Sequence, residues 1–231
     1  GDLHVHTTFS SDAFVMSLPL VSGEGAHPPA DACDFARHCA ALDFWSINDH
    51  AESLTPAHWR ETIESIRQCN AVTSANDPDV TAFLGWEWTQ DGSNPENHWG
   101  HKNVLLKGIR DDEIPARPIG ALHPDGDIVT LPPLARAGLA LVMRDGRTLD
   151  FARFLEENAS VPPCPAGVDV RELPADCKEA TRTPGELFAR LDAWGMESMV
   201  IPHGTAWGNT APPGARWDNQ IGGRNDDPDR Q

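Results

Sequence analysis

The segment His4-Val5-His6 puts two imidazoles two residues apart, in a stretch that alternates Asp, Leu, His, Val, His from residue 2. On an extended strand such residues share a face, so both rings can reach one ion. Imidazole suits a borderline divalent cation such as Zn²⁺. Asp12 follows in Ser10-Ser11-Asp12, where a loop can bring a carboxylate back over the strand end. Asn48-Asp49-His50 sets two ionisable groups just after the apolar run Phe44-Trp45-Ser46-Ile47. Glu87 interrupts the run Thr81 to Trp88, which is otherwise almost wholly apolar. An unpaired carboxylate buried there would be costly. Lys and Arg number only 18 against 35 Asp and Glu, so few bases are available to pair with it. A metal, or two metals sharing the carboxylate, fits better. His101 stands at the entrance to the next strand, and His203 follows Met199-Val200-Ile201-Pro202 at another strand end. The metal-ligand candidates are therefore His4, His6, Asp12, His50, Glu87, His101 and His203.

Three further residues belong to the candidate site. Asp49 is a candidate general acid; orienting a histidine, capping a helix and lying on the surface are the alternatives. Lys102 would neutralise a substrate anion or simply be solvated. His98 is either a substrate-binding group or a loop histidine. Arg117 and Arg144 lie in an ill-defined stretch. Of the ten histidines, His27, His38, His58 and His123 read as bland: His38 and His58 sit in expected helices with no acid cluster around them, and His123 lies in an irregular segment. No GxSxG, phosphate-binding glycine loop or dinucleotide fingerprint occurs. Tyr is absent. Ser46 and Cys69 lack an evident base, which removes covalent catalysis.

These residues need elements to hold them. Residues 2–6 read as a strand and 7–30 as loop. Residues 31–42 read as a helix with Phe35, Cys39 and Leu42 inward, and 44–47 as a strand. Thr55-Pro56 starts a helix running to about Ala71, with Trp59, Ile63 and Ile66 inward. Strands follow at Thr81 to Trp88, 103–106 and 198–201. Thr183-Pro184-Gly185-Glu186 opens a helix that buries Leu187, Leu191 and Trp194 and ends at Gly195. Between about 108 and 180 lies an irregular, proline-rich insert, with helical pieces near Leu134 to Val142 and Leu149 to Glu157. This βα rhythm predicts a mostly parallel sheet with helices outside, in one domain spanning 1–231, with the site at the strands' C-terminal ends.

The chain has 231 residues and a formal charge of −17. Such a surface repels nucleic acid and anionic membranes, and no stretch is long and apolar enough to span a bilayer. The expected partner is a small-molecule substrate, with neither nucleic acid nor membrane insertion. The five cysteines, at irregular spacing, do not form a disulfide framework. A bridge between Cys164 and Cys177 is plausible in the proline-rich segment, and Cys33, Cys39 and Cys69 read as buried helix-face residues. A first residue that is Gly, not Met, suggests a processed or trimmed product.

The segment Gly1 to Asp12 resembles the opening motif of the polymerase and histidinol phosphatase (PHP) superfamily. Asn48-Asp49-His50 resembles its second motif, Glu87 its third, and His203 its later strand-end histidine. The combination is closest to the DUF3604 family of PHP-like proteins, through Gly1 to Thr7, Asp43 to His50, Phe83 to Thr89, His101 to Val104 and Ile201 to His203. The resemblance implies a distorted (βα)₇ barrel, TIM-like, with two or three divalent ions in its mouth, Zn²⁺ first and Mn²⁺ or Fe²⁺ as alternatives. By similarity His4 and His6 hold one ion, Glu87 bridges to a second held by His101 and His203, and Asp12 with His50 contributes to a third. It implies hydrolysis, of phosphoester-type substrates first and of amides or other esters second, by a metal-activated water. The late Asp-x-His motif of such barrels has no counterpart after His203. The barrel is therefore expected to be incomplete at its C-terminus, with the last motif beyond residue 231 or replaced. A degenerate barrel that binds metal without turnover is the non-enzyme alternative. Export signals are common in the family, which allows a periplasmic or secreted origin.

Overall fold

Alternation in Asp2–Val5 produces a short strand, β1, which pairs in parallel with β2 (Phe44–Ile47); β2 pairs in parallel with β3 (Thr81–Phe83). A second sheet is antiparallel and contains β4 (Gly85–Gln90), β5 (Gly100–Leu106) and a late strand, β8 (Ser198–His203), in the order β4-β5-β8. Between them in sequence, β6 (Ile119–Ala121) and β7 (Glu179–Thr181) form a parallel pair. The computed structural model describes residues 1–73, 78–122, 146–203 and 211–215, with a few isolated positions from 132 to 141.

Three small open sheets replace the expected barrel, and among the described residues no closed barrel forms. One reason lies between β4 and β5. Only residues 91–99 join them, and a crossover between parallel strands takes a dozen or more residues. The chain must turn back, so β5 runs antiparallel to β4. The expected single strand over Thr81 to Trp88 is two strands, parted at Leu84. Its first half pairs with β2, and its second half pairs with β5. Gly85 permits the change of partner. A Cβ there would stand 2.5 Å from the Val104 carbonyl oxygen and 3.0 Å from that of Ile47, so only glycine fits. Beyond it the Glu87 amide donates to Asp49 O at 3.0 Å and the Asn48 amide to Val5 O at 2.8 Å. These bonds bring the C-terminal ends of β1, β2 and β4 together.

Five helices flank the sheets among the described residues: α1 (Ser11–Met16), α2 (Pro29–Asp34), α3 (Pro56–Ala71), α4 (Gly146–Ser160) and α5 (Pro184–Trp194). α3 and α5 start as their sequences require, with Thr55 accepting from the His58 amide and Thr183 from the Glu186 amide. Gly195 ends α5 at φ +70°. α1 interrupts the stretch expected to be loop. The helix expected over 31–42 departs further. After Asp34 it widens into a π turn over Phe35–Cys39, with the Ala40 amide donating to Phe35 O at 2.9 Å. Cys33 and Ala36 are buried while Phe35 and Cys39 are exposed, and Leu42, beyond the wider turn, packs against the core as expected. Cys33 forms a disulfide with Cys69 across α2 and α3, against the expectation of unlinked residues, and Cys164 pairs with Cys177.

The core gathers around Trp45, Trp59, Trp86, Trp88, Leu84 and Leu187, all fully buried. Trp86 meets Trp59 and Trp194 edge-on, at centroid separations of 5.8 and 6.0 Å. Its indole N–H donates to Ile119 O, that of Trp88 to Thr181 Oγ1, and that of Trp59 to Pro115 O. The first two bonds fasten the antiparallel sheet to β6 and β7, and the third fastens α3 to the segment preceding β6. In the helix expected near Leu134 to Val142, the described residues 134, 135, 137, 138 and 141 are helical, while His123, Arg144 and the acids Asp218, Asp226, Asp227 and Asp229 lie outside the described residues.

Candidate metal centre

Strand alternation decides what faces the site. In β4, Trp86 and Trp88 point into the core, so Glu87 and Thr89 point the other way. Across the antiparallel register Thr89 stands opposite His101, and His101 opposite His203. Opposite residues share a face, so Glu87, Thr89, His101 and His203 form one surface. The bonds between strand ends swing His4, His6 and His50 onto it from β1 and β2.

Glu87, 1% exposed, is the hub. Its Oε2 lies 2.9 Å from His6 Nε2 and 3.3 Å from His4 Nε2, and these two nitrogens are 2.8 Å apart. Its Oε1 lies 3.2 Å from His203 Nε2 and 3.9 Å from His50 Nδ1, and contacts His101 Nδ1 directly. No Lys or Arg pairs with Glu87 among the described residues. Three groups of side chains have ligand atoms within 4.8 Å of one another: His4, His6 and Glu87; His50, Glu87 and His101; and His6, Asp12 and His50. These clusters could coordinate a metal ion, and their mixture of imidazole and carboxylate fits borderline divalent cations.

Outer partners meet the far nitrogens of three rings. His6 Nδ1 is 3.0 Å from Ser10 Oγ, which also accepts from the His50 amide at 3.1 Å. His50 Nε2 is 3.3 Å from Asp12 Oδ2, and His101 Nε2 is 3.2 Å from Asp91 Oδ1. In a neutral ring that carries its proton on that nitrogen, the other nitrogen would direct its lone pair at Glu87, the arrangement that orients metal-ligating histidines; without a metal the same carboxylates favour the imidazolium of His50 and His101. Thr89 Oγ1 lies 2.7 Å from His50 Nδ1 and 3.2 Å from Glu87 Oε1.

The electrostatics follow from this crowding. Burial works against the charge on Glu87, but His50, His101, His203 and His4 outweigh it and hold the carboxyl well below the usual carboxylate range. Asp12 is likewise held low by His50 and His6 against its burial. Burial opposes the imidazolium of His50, yet Glu87 and Asp12 lift it to about 9. Asp91 and Glu87 lift His101, also against burial, to about 10. At His203 burial prevails and the ring is pushed below its ordinary value.

The remaining predicted residues are placed elsewhere. The Asp49 carboxylate accepts from the Thr7 amide at 2.5 Å and from Thr7 Oγ1 at 2.7 Å, and is 1% exposed. Burial, only partly offset by these bonds, pushes it up to about 6. It ties the loop after His6 to the strand before His50. Lys102 alternates with His101 and is fully buried on the opposite face, its Nζ donating to Trp99 O and lying 5.7 Å from the Trp88 ring centroid. It is neither solvated nor within the site. His98 is buried with Nδ1 3.7 Å from Asp91. Arg117 is buried against Glu179 at 2.8 Å. His58 stacks between Phe9 and Phe154.

Sequence reasoning missed Ser10, Thr89 and Asp91. Thr89 had a usable signal, since it sits two residues after Glu87 and so shares its face. Comparison with protein-family models, with curated proteins and with solved structures found no match. With no closed barrel among the described residues either, the expected PHP architecture and phosphoesterase family identity have no support. Among the described residues no helix is long and apolar enough to cross a membrane.

Proposed function

We propose that this chain is a metal-dependent hydrolase whose centre holds two divalent ions. One observation carries the proposal: a buried carboxylate meets five imidazoles and, among the described residues, no Lys or Arg, and three of the rings have outer partners at their far nitrogens.

The ligand arithmetic favours two ions over three. A neutral imidazole has a single acceptor nitrogen. His6 and His50 belong to two of the clusters each, facing one with Nε2 or Nδ1 and the other with the opposite nitrogen. Both cannot be served at once. His4, His6 and Glu87 would hold one ion, and Glu87, His50 and His101, with His203 alongside, the second. Asp12 then orients His50 rather than ligating. Zn²⁺ suits this donor set, and Mn²⁺ or Fe²⁺ are accepted by the same ligand types.

Ions bound there supply a polarised substrate oxygen and a water deprotonated near neutral pH. The chain's residues do the rest. Glu87 draws the two ligand groups together. Ser10, Asp12 and Asp91 fix the rings, which removes reorganisation from the reaction. His4 and Asp12 have side chains 40% and 55% exposed, so a small-molecule ester approaches from their side, over a floor formed by Glu87.

The test starts from chelated protein, titrated with Zn²⁺, Mn²⁺ and Fe²⁺ under calorimetry and elemental analysis. Aryl carboxylate and aryl phosphate esters are then assayed before and after loading. The expected result is two ions per chain and turnover only in the loaded form. Tight loading without turnover across the panel would leave a metal-binding protein and refute the hydrolase.

A further inference from the structure

Thr89 shares the face of Glu87 on β4 and stands opposite His101 in the register. It is buried, and its amide donates to Glu52 Oε1 at 3.3 Å, which anchors the end of the strand. A β-branched side chain also turns little about its first bond, so the hydroxyl is held in place. Its Oγ1 lies 2.7 Å from His50 Nδ1, 3.2 Å from Glu87 Oε1 and 3.4 Å from His101 Nδ1. Those are the atoms with which His50, Glu87 and His101 face one another, in the group assigned above to the second ion.

The distances distinguish two roles for that oxygen. Donors at about 2.1 Å from a tetrahedral cation stand about 3.4 Å from one another. An atom in the cation's own place would instead lie about 2.1 Å from each donor. The separations of Thr89 Oγ1 match the edges of such a tetrahedron and not its centre. The first group is built differently. Its neighbouring hydroxyl, Ser10 Oγ, meets His6 at Nδ1, while His6 Nε2 faces His4 and Glu87. A neutral hydroxyl is a hard oxygen donor, of the kind that serves Mg²⁺ in phosphate-binding loops and suits Mn²⁺, whereas imidazole suits Zn²⁺. We propose that the Thr89 hydroxyl is a direct donor to the second ion, joining His50, Glu87 and His101, and that it biases this site towards Mn²⁺ relative to the site at His4 and His6. The inference rests on the two-ion centre proposed above and not on the reaction assigned to it.

The test is metal binding, without any assay of turnover. Chelated parent protein and the variants Thr89→Ala, Thr89→Ser and Thr89→Cys are titrated with Mn²⁺ and with Zn²⁺ under calorimetry, and water-proton relaxation is followed in the Mn²⁺ titrations. Thr89→Ala should leave the first ion unchanged and weaken the second about tenfold for Mn²⁺ and less for Zn²⁺. Water entering the vacated position should raise the relaxation per bound Mn²⁺. Thr89→Ser keeps the oxygen and should stay within about threefold of the parent. Thr89→Cys exchanges a hard donor for a soft one, so the second site should turn towards Zn²⁺ by at least about tenfold relative to Mn²⁺. Should Thr89→Ala fail to fold, the contrast between Ser and Cys carries the test. A hydroxyl that only orients the His50 ring gives another pattern: Thr89→Ala weakens Zn²⁺ at least as much as Mn²⁺, and Thr89→Cys gains nothing for Zn²⁺. That pattern overturns the proposal. So does a second ion that Thr89→Ala binds unchanged or more tightly. Each of these results leaves two ions in the parent and so leaves the metal centre standing. Fewer than two ions of either metal in the parent would refute the two-ion centre, and the assignment of Thr89 with it.

Discussion

The Nε2 atoms of His4 and His6 lie 2.8 Å apart, and both face the same oxygen of Glu87. At that separation one nitrogen can donate to the other, but only one proton lies on the line between them. The Ser10 hydroxyl, 3.0 Å from His6 Nδ1, can accept from that nitrogen or donate to it; with the ring's proton on Nδ1, its Nε2 presents a lone pair. A cation accommodates both nitrogens and the carboxylate oxygen together, which neutral rings alone do not.

Glu87→Gln is the direct consequence. Glu87 joins two of the three ligand clusters, so the substitution should weaken both ions by at least about 100-fold and abolish turnover. His4→Ala touches one cluster and should cost one ion while the second stays bound. Elemental analysis of the two purified variants distinguishes these outcomes. Retention of two ions by Glu87→Gln would remove the hub from the account.

Asp91→Asn tests the outer shell. Asp91 holds His101 Nε2 at 3.2 Å without facing Glu87 itself. Losing such a partner costs roughly 10–100-fold in metal affinity. Calorimetry should show that loss at the second ion only, with binding at the His4 and His6 side unaltered. An equal effect on both ions would point to general structural damage.

Much of the centre was legible in residue types and spacing. His4 and His6 share a strand face, and the apolar setting of Glu87 demands a compensating group. His101 carried a further clue. A residue at the start of a strand can join a cluster at the C-terminal ends of other strands only if its own strand runs the opposite way. The antiparallel β4–β5 pair was thus implied by the ligand set, and the βα rhythm obscured it. Other features leave little local trace. Asp91 lies in a polar loop where any acid is unremarkable. The Cys33–Cys69 bridge depends on how α2 packs on α3, and Phe35 and Cys39, expected inward, are exposed in the π turn after Asp34. Lys102 was misplaced because its neighbour His101 drew both into one group, although strand alternation separates them.

Stability of the metal-free protein should depend on pH in two opposite ways. His50 and His101 are raised, to about 9 and about 10, above an ordinary value of 6.5. Their contribution is complete below pH 6.5 and is lost as pH rises through 9 to 10. Glu87 is lowered from 4.5, so its contribution is present above pH 4.5 and is lost on acidification. Metal-free protein should therefore be most stable between about pH 4.5 and 6.5, and lose on the order of 2 kcal/mol by pH 10. That corresponds to roughly 4–8 °C in thermal midpoint. Metal ligation needs the deprotonated rings, so stabilisation by Zn²⁺ should grow across the same alkaline range. A metal-free midpoint that rises from pH 6.5 to 10 would contradict the assignment of these charges.

The disulfides provide a test of the scaffold independent of the site. Cys33–Cys69 closes a loop of 36 residues and Cys164–Cys177 one of 13. Constraint of the unfolded chain is worth about 4 and about 3 kcal/mol for loops of these lengths. Only Cys39 is unpaired. Oxidised protein unfolded in denaturant should therefore expose one reactive thiol, and reduced protein all five cysteines. The paired substitution Cys33→Ser with Cys69→Ser should lower stability more than the equivalent change at Cys164 and Cys177, because it closes the longer loop and joins α2 to α3. Three reactive thiols before reduction would show that one bridge does not form. The metal affinities of the variants would then reveal whether it supports the centre, since α2 and α3 carry none of the ligands.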